Sequence, residues 1–243
     1  MKANYIHVCF VIDKSGSMFS SIKDVEGGFK RIIEEQKQVK DGECSISLYT
    51  FNNEVEEVYL GKPINEVKEI DYHPGGCTAM NDGIGTAIDN VGKWLNAMKE
   101  EDKPSKNLIV IMTDGLENAS KEYTLQDVKD RIKHQEEKYN WSFMFLGADL
   151  TDTKDADELG LKYRSFTTKK NMFKNYDMIN NATTLYRSAV ASEAEVTMDS
   201  YLMAESAVLN NEFEEEMKKK DNNNTDITQR RLSGVLDNRL HSK

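Results

Sequence analysis

The sequence of 243 residues has few cysteines, prolines and tryptophans, and it has no long apolar run. Its three cysteines, Cys9, Cys44 and Cys77, are an odd number and lie far apart, which indicates reduced thiols and not a disulfide framework. No Cys or His spacing suits zinc. No stretch approaches the roughly 18 apolar residues of a membrane span, and the first residues lack the cleavage site of a signal peptide. We therefore expect a cytoplasmic protein that does not enter a membrane.

Negatively charged residues outnumber positively charged ones. The chain has 32 Lys and Arg against 42 Asp and Glu, which gives a formal net charge of −10. Nucleic acids and anionic membranes carry charge of the same sign, so neither is expected as the main partner. A divalent cation, in contrast, would be attracted by this charge.

Strand-like and helix-like segments alternate along residues 1–190. Nearly continuous apolar runs predict strands buried on both faces, and charged segments with apolar residues at helical spacing predict amphipathic helices. One hairpin interrupts the alternation, and its charged second strand suits a sheet edge. The predicted strands are 5–12, 44–51, 54–60, 108–112, 141–146 and 163–166, and the predicted helices are 20–40, 78–99, 124–139, 152–159 and 172–190. The sequence thus predicts a doubly wound α/β domain whose six-stranded sheet is mostly parallel, with one antiparallel edge strand and helices on both faces.

Residues 191–243 differ in character and form a predicted C-terminal extension that is acidic and partly helical. Residues 191–220 have weak helical spacing, 221–226 read as a polar linker, and 227–240 suit a short amphipathic helix. Two interpretations stay open at this point. The extension either docks on its own domain or is half-ordered, or it binds a partner or a second copy of the chain.

Two carboxylates each follow a predicted buried strand. Asp13 comes directly after the first strand, and Asp114 follows the strand 108–112. In the usual doubly wound order these strands are neighbours, so their carboxyl ends meet at the edge where ligands bind. Two such anions repel each other unless a proton or a cation lies between them.

Three hydroxyls are predicted to lie near the two carboxylates. Ser15 and Ser17 follow Asp13 within one turn, and Gly16 between them permits a tight turn. Thr78 ends a glycine-rich loop. These are hard oxygen ligands, which favour Mg²⁺, with Mn²⁺ or Ca²⁺ as alternatives.

These residues resemble the metal-ion-dependent adhesion site (MIDAS) of the von Willebrand factor A domain family. Residues 13–17 (DKSGS) are similar to its Asp-x-Ser-x-Ser motif, Thr78 in the sequence GGCT to its single threonine, and Asp114 in IMTDG to its late aspartate. The resemblance covers residues 1–190 and does not include the extension. Within the family, the intracellular bacterial and phage members of the tellurium-resistance type look most similar.

The resemblance implies a non-catalytic protein-interaction module. It implies that Ser15 and Ser17 bind the metal directly, Thr78 and Asp114 directly or through water, and Asp13 mainly through water. An acidic side chain of a partner protein would complete the coordination. In relatives, a rearrangement at the metal is coupled to a shift of the last helix, so we expect the extension to report or restrain such a shift here.

Further residues are expected to support the metal ligands or to face the partner. Asp82 suits either hydrogen bonding within a loop or a solvated position near a helix start. Cys77 suits packing or redox sensing. The full set is Gly16, Met18, Gly76, Cys77, Asp82, Gly115, Glu117 and Asn118.

Two other functions remain as alternatives. A Mg²⁺-dependent phosphohydrolase could use Asp13 as its nucleophile, but such enzymes need a second Asp where this chain has Ser15. A serine nucleophile would need a base, for which His73 is the candidate. The third function is an assembly subunit that oligomerises through the extension.

Overall fold

The structure is a computed structural model. It describes the backbone of residues 1–149, 154–188 and 197–240, and the side chains of the same residues except 154–156 and 221–240. Residues 150–153, 189–196 and 241–243 lie outside the described part. With them lie the start of the predicted helix 152–159, the end of the predicted helix 172–190 and the first residues of the C-terminal extension.

A six-stranded sheet of order β3-β2-β1-β4-β5-β6 forms the centre of the molecule. Only the pairing of β2 with β3 is antiparallel, and the other four pairings are parallel. The strands are β1 (Lys2–Asp13), β2 (Glu43–Phe51), β3 (Val55–Pro63), β4 (Pro104–Thr113), β5 (Ser142–Ala148) and β6 (Tyr163–Thr167). The chain builds outward from β1 to β3 and then returns to β4, so the topological switch point lies between β1 and β4. The predicted sheet, including its antiparallel edge strand, is confirmed.

Helices cover both faces of the sheet. They are α1 (Ile22–Gln38), α2 (Met80–Ala97), α3 (Leu125–Tyr139), α4 (Lys154–Leu159), α5 (Met172–Ser188) and α6 (Met198–Leu240), with 3-10 turns at Gly16–Ser21, Ile64–Glu66, Glu100–Asp102 and Lys169–Asn171. Apolar residues of α1, α5 and α6 share one core, and those of α2, α3 and α4 share the other. Among the described residues, no helix combines the length and the apolar character needed to cross a bilayer.

The central strand β1 has helices over both of its faces, and residues 8–12 of it are apolar without interruption. Ile6, Val8 and Phe10 point into the core beneath α1, α5 and α6. Cys9 and Val11 point into the opposite core beneath α2 and α3. Because successive side chains of a strand alternate between faces, a strand with helices on both sides is apolar at nearly every position.

The first half of α6 is part of the domain. Met198, Leu202 and Leu209 are buried in the same core as α5. Near the start of the helix, the Asp199 carboxylate lies 3.0 Å from the ammonium of Lys106, a lysine on β4 that is only 5% exposed. This arrangement fits the interpretation in which the extension docks on its own domain.

The helix α6 runs without a break through residues 221–226, which the sequence analysis interpreted as a linker. That prediction is wrong. Asn, Asp and Thr have low helix propensity, which costs a few tenths of a kcal/mol per residue. However, no Gly or Pro occurs between Met198 and Ser233 to end a helix that is already formed.

Candidate metal site

Asp13 and Asp114 lie at the same edge of the sheet. Asp13 is the last residue of β1, and Asp114 directly follows β4. The two strands are parallel neighbours, with Ile12 opposite Met112. The carboxyl ends of the two strands therefore meet at the switch point, as expected.

Both carboxylate oxygens of Asp13 are held by hydrogen bonds. The Thr113 hydroxyl donates to Oδ2 at 2.6 Å, and the Ser15 backbone N–H donates to Oδ1 at 2.6 Å. The Asp13 side chain is fully buried, which raises its pKa, and the charge of Asp114 adds to this effect, while the two hydrogen bonds oppose it. A cation close to Asp13 would favour its charged form.

The serine hydroxyls connect to the second carboxylate. Ser15 Oγ and Ser17 Oγ are 3.0 Å apart, and Ser17 Oγ donates to Asp114 Oδ1 at 2.5 Å. The tight turn at Gly16 brings the two hydroxyls to the same side, and the Gly16 N–H donates to the carbonyl of Gly76 at 3.0 Å. The loop after β1 is thereby joined to the loop that carries Thr78.

Gly115 keeps the centre of the site open. A Cβ atom added at Gly115 would lie 3.3 Å from Thr78 Oγ1, 3.5 Å from Ser17 Oγ and 3.7 Å from Asp13 Oδ2. Side-chain oxygens from three separate segments thus converge on one small cradle. This donor set consists of oxygen only, and it fits a hard divalent cation such as Mg²⁺, Mn²⁺ or Ca²⁺.

The cradle contains few carboxylates. In the part of the chain that the structure describes, no cluster of three or more His, Cys, Asp or Glu side chains suited to a metal occurs. Any cation bound here would therefore depend on the hydroxyls of Ser15, Ser17 and Thr78 together with two carboxylates.

The glycine-rich loop before Thr78 is shaped by contacts with the β2–β3 turn. Gly76 has a φ of +83°, and a Cβ there would lie 2.1 Å from Asn53 Oδ1, so only glycine fits without strain. The same Asn53 oxygen accepts the Cys77 backbone N–H at 3.0 Å. Cys77 is a free, exposed thiol, so packing does not account for its side chain.

Asp82 and Glu117 fasten the loop after β4 to the start of α2. The Asp82 carboxylate accepts three backbone N–H groups, from residues 121–123, at 2.8 to 2.9 Å. The Glu117 carboxylate accepts the backbone N–H of Asn81 at 2.8 Å and that of Ser120 at 2.8 Å. Asp82 is only 7% exposed, which matches the loop-supporting interpretation and not the solvated one.

Met18 does not lie at the rim of the site. Its side chain is fully buried in the core shared by α1 and α5. The expectation that it faces a partner is wrong, because the 3-10 turn Gly16–Ser21 rotates Met18 inward.

Three exposed apolar residues close in sequence to the site were not predicted. Phe19 is 68% exposed, Leu116 is 40% exposed and Phe173 is 49% exposed. They follow Ser17, Asp114 and the turn before α5, respectively. The available signal was a large apolar side chain that follows polar residues at or just beyond the end of a predicted strand.

Lys169 was also missed. It lies in the 3-10 turn after β6, and its Nζ is 2.6 Å from Asp114 Oδ2. The signal that could have found it is its position just beyond the carboxyl end of a parallel strand, which is the edge where ligands bind.

The comparisons with known proteins identify the family and the fold. A family model of the von Willebrand factor type A domain matches residues 7–186. No curated protein sequence matches the chain significantly.

Several solved structures share the fold. Proximal thread matrix protein 1 from the mussel byssus, solved with a zinc-occupied MIDAS motif, is 17% identical, with a TM-score of 0.51 over 75% of this chain and 45% of that chain. The vWF domain of the type V pili tip protein Mfa5 from Porphyromonas gingivalis is 13% identical, with a TM-score of 0.58 over 81% and 99%. The pilus adhesin SpaC from Lactobacillus rhamnosus GG is 14% identical, with a TM-score of 0.61 over 77% and 31%. The chain thus spans less than half the length of the mussel protein. With the family model matching most of the chain, the protein belongs to the von Willebrand factor type A domain family.

Proposed function

We propose that the protein is a Mg²⁺-dependent protein-interaction module that binds an acidic residue of its partner through a MIDAS metal. The observation that carries this proposal is the convergence of Asp13, Ser17 and Thr78 on the cradle at Gly115. Ser15 and Ser17 would hold the ion directly, Thr78 and Asp114 directly or through water, and Asp13 mainly through water.

The composition of the donor set supports a binding role. Hydroxyls are neutral, so three of them with two carboxylates neutralise a divalent cation less than a cage of carboxylates does. When bound, such an ion supplies an open coordination position with residual positive charge, which favours an incoming carboxylate. Mg²⁺ is the metal proposed, with Mn²⁺ and Ca²⁺ as alternatives.

The surroundings of the site support a partner surface. Phe19, Leu116 and Phe173 are exposed. Each lies within a few residues of Ser17, Asp114 or Lys169 in the sequence. In this proposal they form one apolar rim around the ion, because contiguous exposed apolar patches mark interaction surfaces. The partner epitope that fits best is therefore an acidic side chain flanked by apolar side chains, on a protein and not on a nucleic acid or membrane.

An enzymatic role has less support. Ser15 stands where a haloacid-dehalogenase-type phosphatase needs its second Asp. His73, the candidate base, is 83% exposed and lies 2.9 Å from the exposed Asp71 carboxylate. The serine hydroxyls contact each other and Asp114 instead. A phosphatase assay with Mg²⁺ tests this alternative directly.

The cellular setting belongs to the same proposal. Cys9, Cys44 and Cys77 are free thiols, which supports the cytoplasm and, with it, an intracellular member of the family such as the tellurium-resistance type. Assembly through the extension is the remaining alternative, and the mass of the full chain in solution tests it.

Metal binding is the first test. We expect isothermal titration of the full chain with Mg²⁺, Mn²⁺ and Ca²⁺ to detect one site, and a Ser15→Ala, Ser17→Ala variant to lose it. Ser21→Ala is the matched control, because Ser21 ends the same 3-10 turn and its buried hydroxyl has no hydrogen-bond partner among the described residues. Binding that survives in the double variant would contradict the proposed site.

Partner capture is the second test. Immobilised full chain should retain a partner from a native lysate in Mg²⁺, release it in EDTA, and fail to retain it as the double serine variant. Phe19→Ala should weaken the capture without changing metal affinity. A partner retained in all of these arms would move the binding surface away from the metal.

A further inference from the structure

Lys169 holds one oxygen of a proposed metal ligand. Its Nζ lies 2.6 Å from Asp114 Oδ2, 3.1 Å from the carbonyl of Ser17 and 3.1 Å from Ser20 Oγ. The Asp114 carboxylate is fully buried, and the Lys169 side chain is 26% exposed. The ammonium is thus fixed by three oxygen atoms at the edge of the cradle.

The two oxygens of Asp114 face different groups. Oδ1 accepts the hydroxyl of Ser17 and so belongs to the cradle. Oδ2 is buried, and its close contact is Lys169. One carboxylate therefore serves the hydroxyl cluster and the lysine at the same time.

The helix α6 holds the segment around Lys169 in place. The hydroxyl of Thr168 donates to Glu216 Oε2 at 3.1 Å, and the side-chain amide of Asn171 donates to Glu216 Oε1 at 2.7 Å. One turn earlier on α6, Glu212 lies 2.6 Å from the ammonium of Lys174. Glu216 thus contacts residues on both sides of Lys169.

We propose that Lys169 is an internal counter-cation of the metal site, and that α6 holds it there through Glu216. This inference rests on the proposed function and adds to it. Lys169 neutralises Asp114, so the site attracts a divalent cation less strongly than its two carboxylates alone would. The bound ion in turn keeps more positive charge for the partner's carboxylate. Because the ammonium and the ion share one carboxylate, docking of α6 and metal affinity are coupled in both directions.

The first experiment measures metal affinity in the full chain with Mn²⁺ as the probe. Lys169→Met removes the charge and keeps much of the side-chain volume. Lys170→Met is the control, because Lys170 is the exposed neighbour in the same turn. We expect Lys169→Met to bind Mn²⁺ about tenfold more tightly, since it removes a positive charge close to the ion, and Lys170→Met to bind as the wild type does.

The outcomes separate this inference from the proposed function. A wild-type chain that binds no Mn²⁺ overturns both. A wild-type chain that binds Mn²⁺ while Lys169→Met and Lys170→Met have equal affinity overturns the role of Lys169 alone. Weaker binding by a folded Lys169→Met chain also overturns it.

A second experiment tests the positioning role of Glu216. Glu216→Ala should raise Mn²⁺ affinity in the same direction as Lys169→Met, whereas Glu215→Ala, at an exposed neighbouring position, should not. In a chain that already carries Lys169→Met, Glu216→Ala should have no further effect on affinity. If Glu216 only stabilised the fold, Glu216→Ala would lower the melting temperature, and its effect on Mn²⁺ affinity would not depend on Lys169. An equal effect on Mn²⁺ affinity in the wild-type and Lys169→Met chains would therefore overturn the link to α6.

Discussion

Asn118 and Thr78 are joined by a reciprocal pair of hydrogen bonds. The Asn118 backbone N–H donates to the carbonyl of Thr78 at 3.0 Å, and the Thr78 N–H donates to Asn118 Oδ1 at 2.9 Å. Asn118 follows β4 and Thr78 precedes α2, so this pair connects two of the loops that form the cradle. The position of the Thr78 hydroxyl therefore depends on a side chain that is not itself a ligand.

We expect Asn118→Ala to weaken metal binding through this contact. The Thr78 N–H would lose its acceptor, with a loss of about 1 to 2 kcal/mol in the free energy of unfolding. Supporting residues around metal ligands typically change metal affinity by roughly 10- to 100-fold, and we expect the lower end of this range. Mn²⁺ titration and urea denaturation measure the two effects, with Asn65→Ala, at an exposed position in the 3-10 turn Ile64–Glu66, as the control. Unchanged affinity in Asn118→Ala would show that Thr78 is positioned by other contacts.

The cradle at Gly115 gives a second prediction. In Gly115→Ala the new methyl group would lie 3.3 Å from Thr78 Oγ1 and would occupy the space where the oxygens converge. We expect metal affinity to fall by about tenfold or more, while the free energy of unfolding changes by less than about 1.5 kcal/mol. Gly75→Ala is the matched control in the opposing loop, since a Cβ there meets no atom within 4 Å. Equal metal affinities of the two variants would mean that the ion does not bind in this cradle.

The docked half of α6 gives a third prediction. Leu202 is fully buried in the core shared with α5, whereas the next residue, Met203, is 59% exposed. We expect Leu202→Ala to lower the free energy of unfolding by about 2 to 5 kcal/mol and Met203→Ala to change it by less than about 0.5 kcal/mol. Urea denaturation of the full chain measures both values. Similar, small effects would indicate that α6 is not part of the cooperative unit.

The sheet and the main site residues were predictable because both depend on local patterns. A strand between two helical layers is apolar at nearly every position, so the runs ending at Asp13 and Thr113 were visible in the sequence. In a doubly wound sheet the strands on either side of the switch point are neighbours, so the residues that follow them, Asp13 and Asp114, are expected to lie close together. The hairpin turn at Asn52 and Asn53 identified the antiparallel edge strand.

The residues that were missed or misplaced depend on long-range geometry. Lys169 is distant in sequence from Asp114, and a lysine in a loop carries no periodic signal. Met18 precedes another large apolar residue, the exposed Phe19, so the sequence does not show which of the two is buried, and the burial of Met18 follows from the rotation of a short 3-10 turn. The continuous α6 helix depends on docking of its first half, which stabilises a helix whose later residues have weak propensity.

The last prediction concerns His7, which is fully buried on β1. Its Nδ1 lies 2.9 Å from Ser45 Oγ and its ring centroid lies 4.8 Å from that of Trp94. Burial lowers the pKa of His7 to about 3, with a hydrogen bond to Ser45 acting in the opposite direction. In the unfolded chain, a histidine titrates near its ordinary pKa of about 6.5.

Between these two values the unfolded chain binds a proton that the native chain does not, so stability falls as the pH drops from about 6.5 towards 3. The slope is about 1.4 kcal/mol per pH unit, or about 2 kcal/mol between pH 7 and pH 5. We expect His7→Leu to reduce the difference in unfolding free energy between these two pH values by about 2 kcal/mol. His73→Leu is the control, because His73 is 83% exposed and is not desolvated in the native state. Urea denaturation at both pH values measures the slope, and equal slopes for wild type and His7→Leu would mean that His7 accepts a proton in the native core, in conflict with its burial.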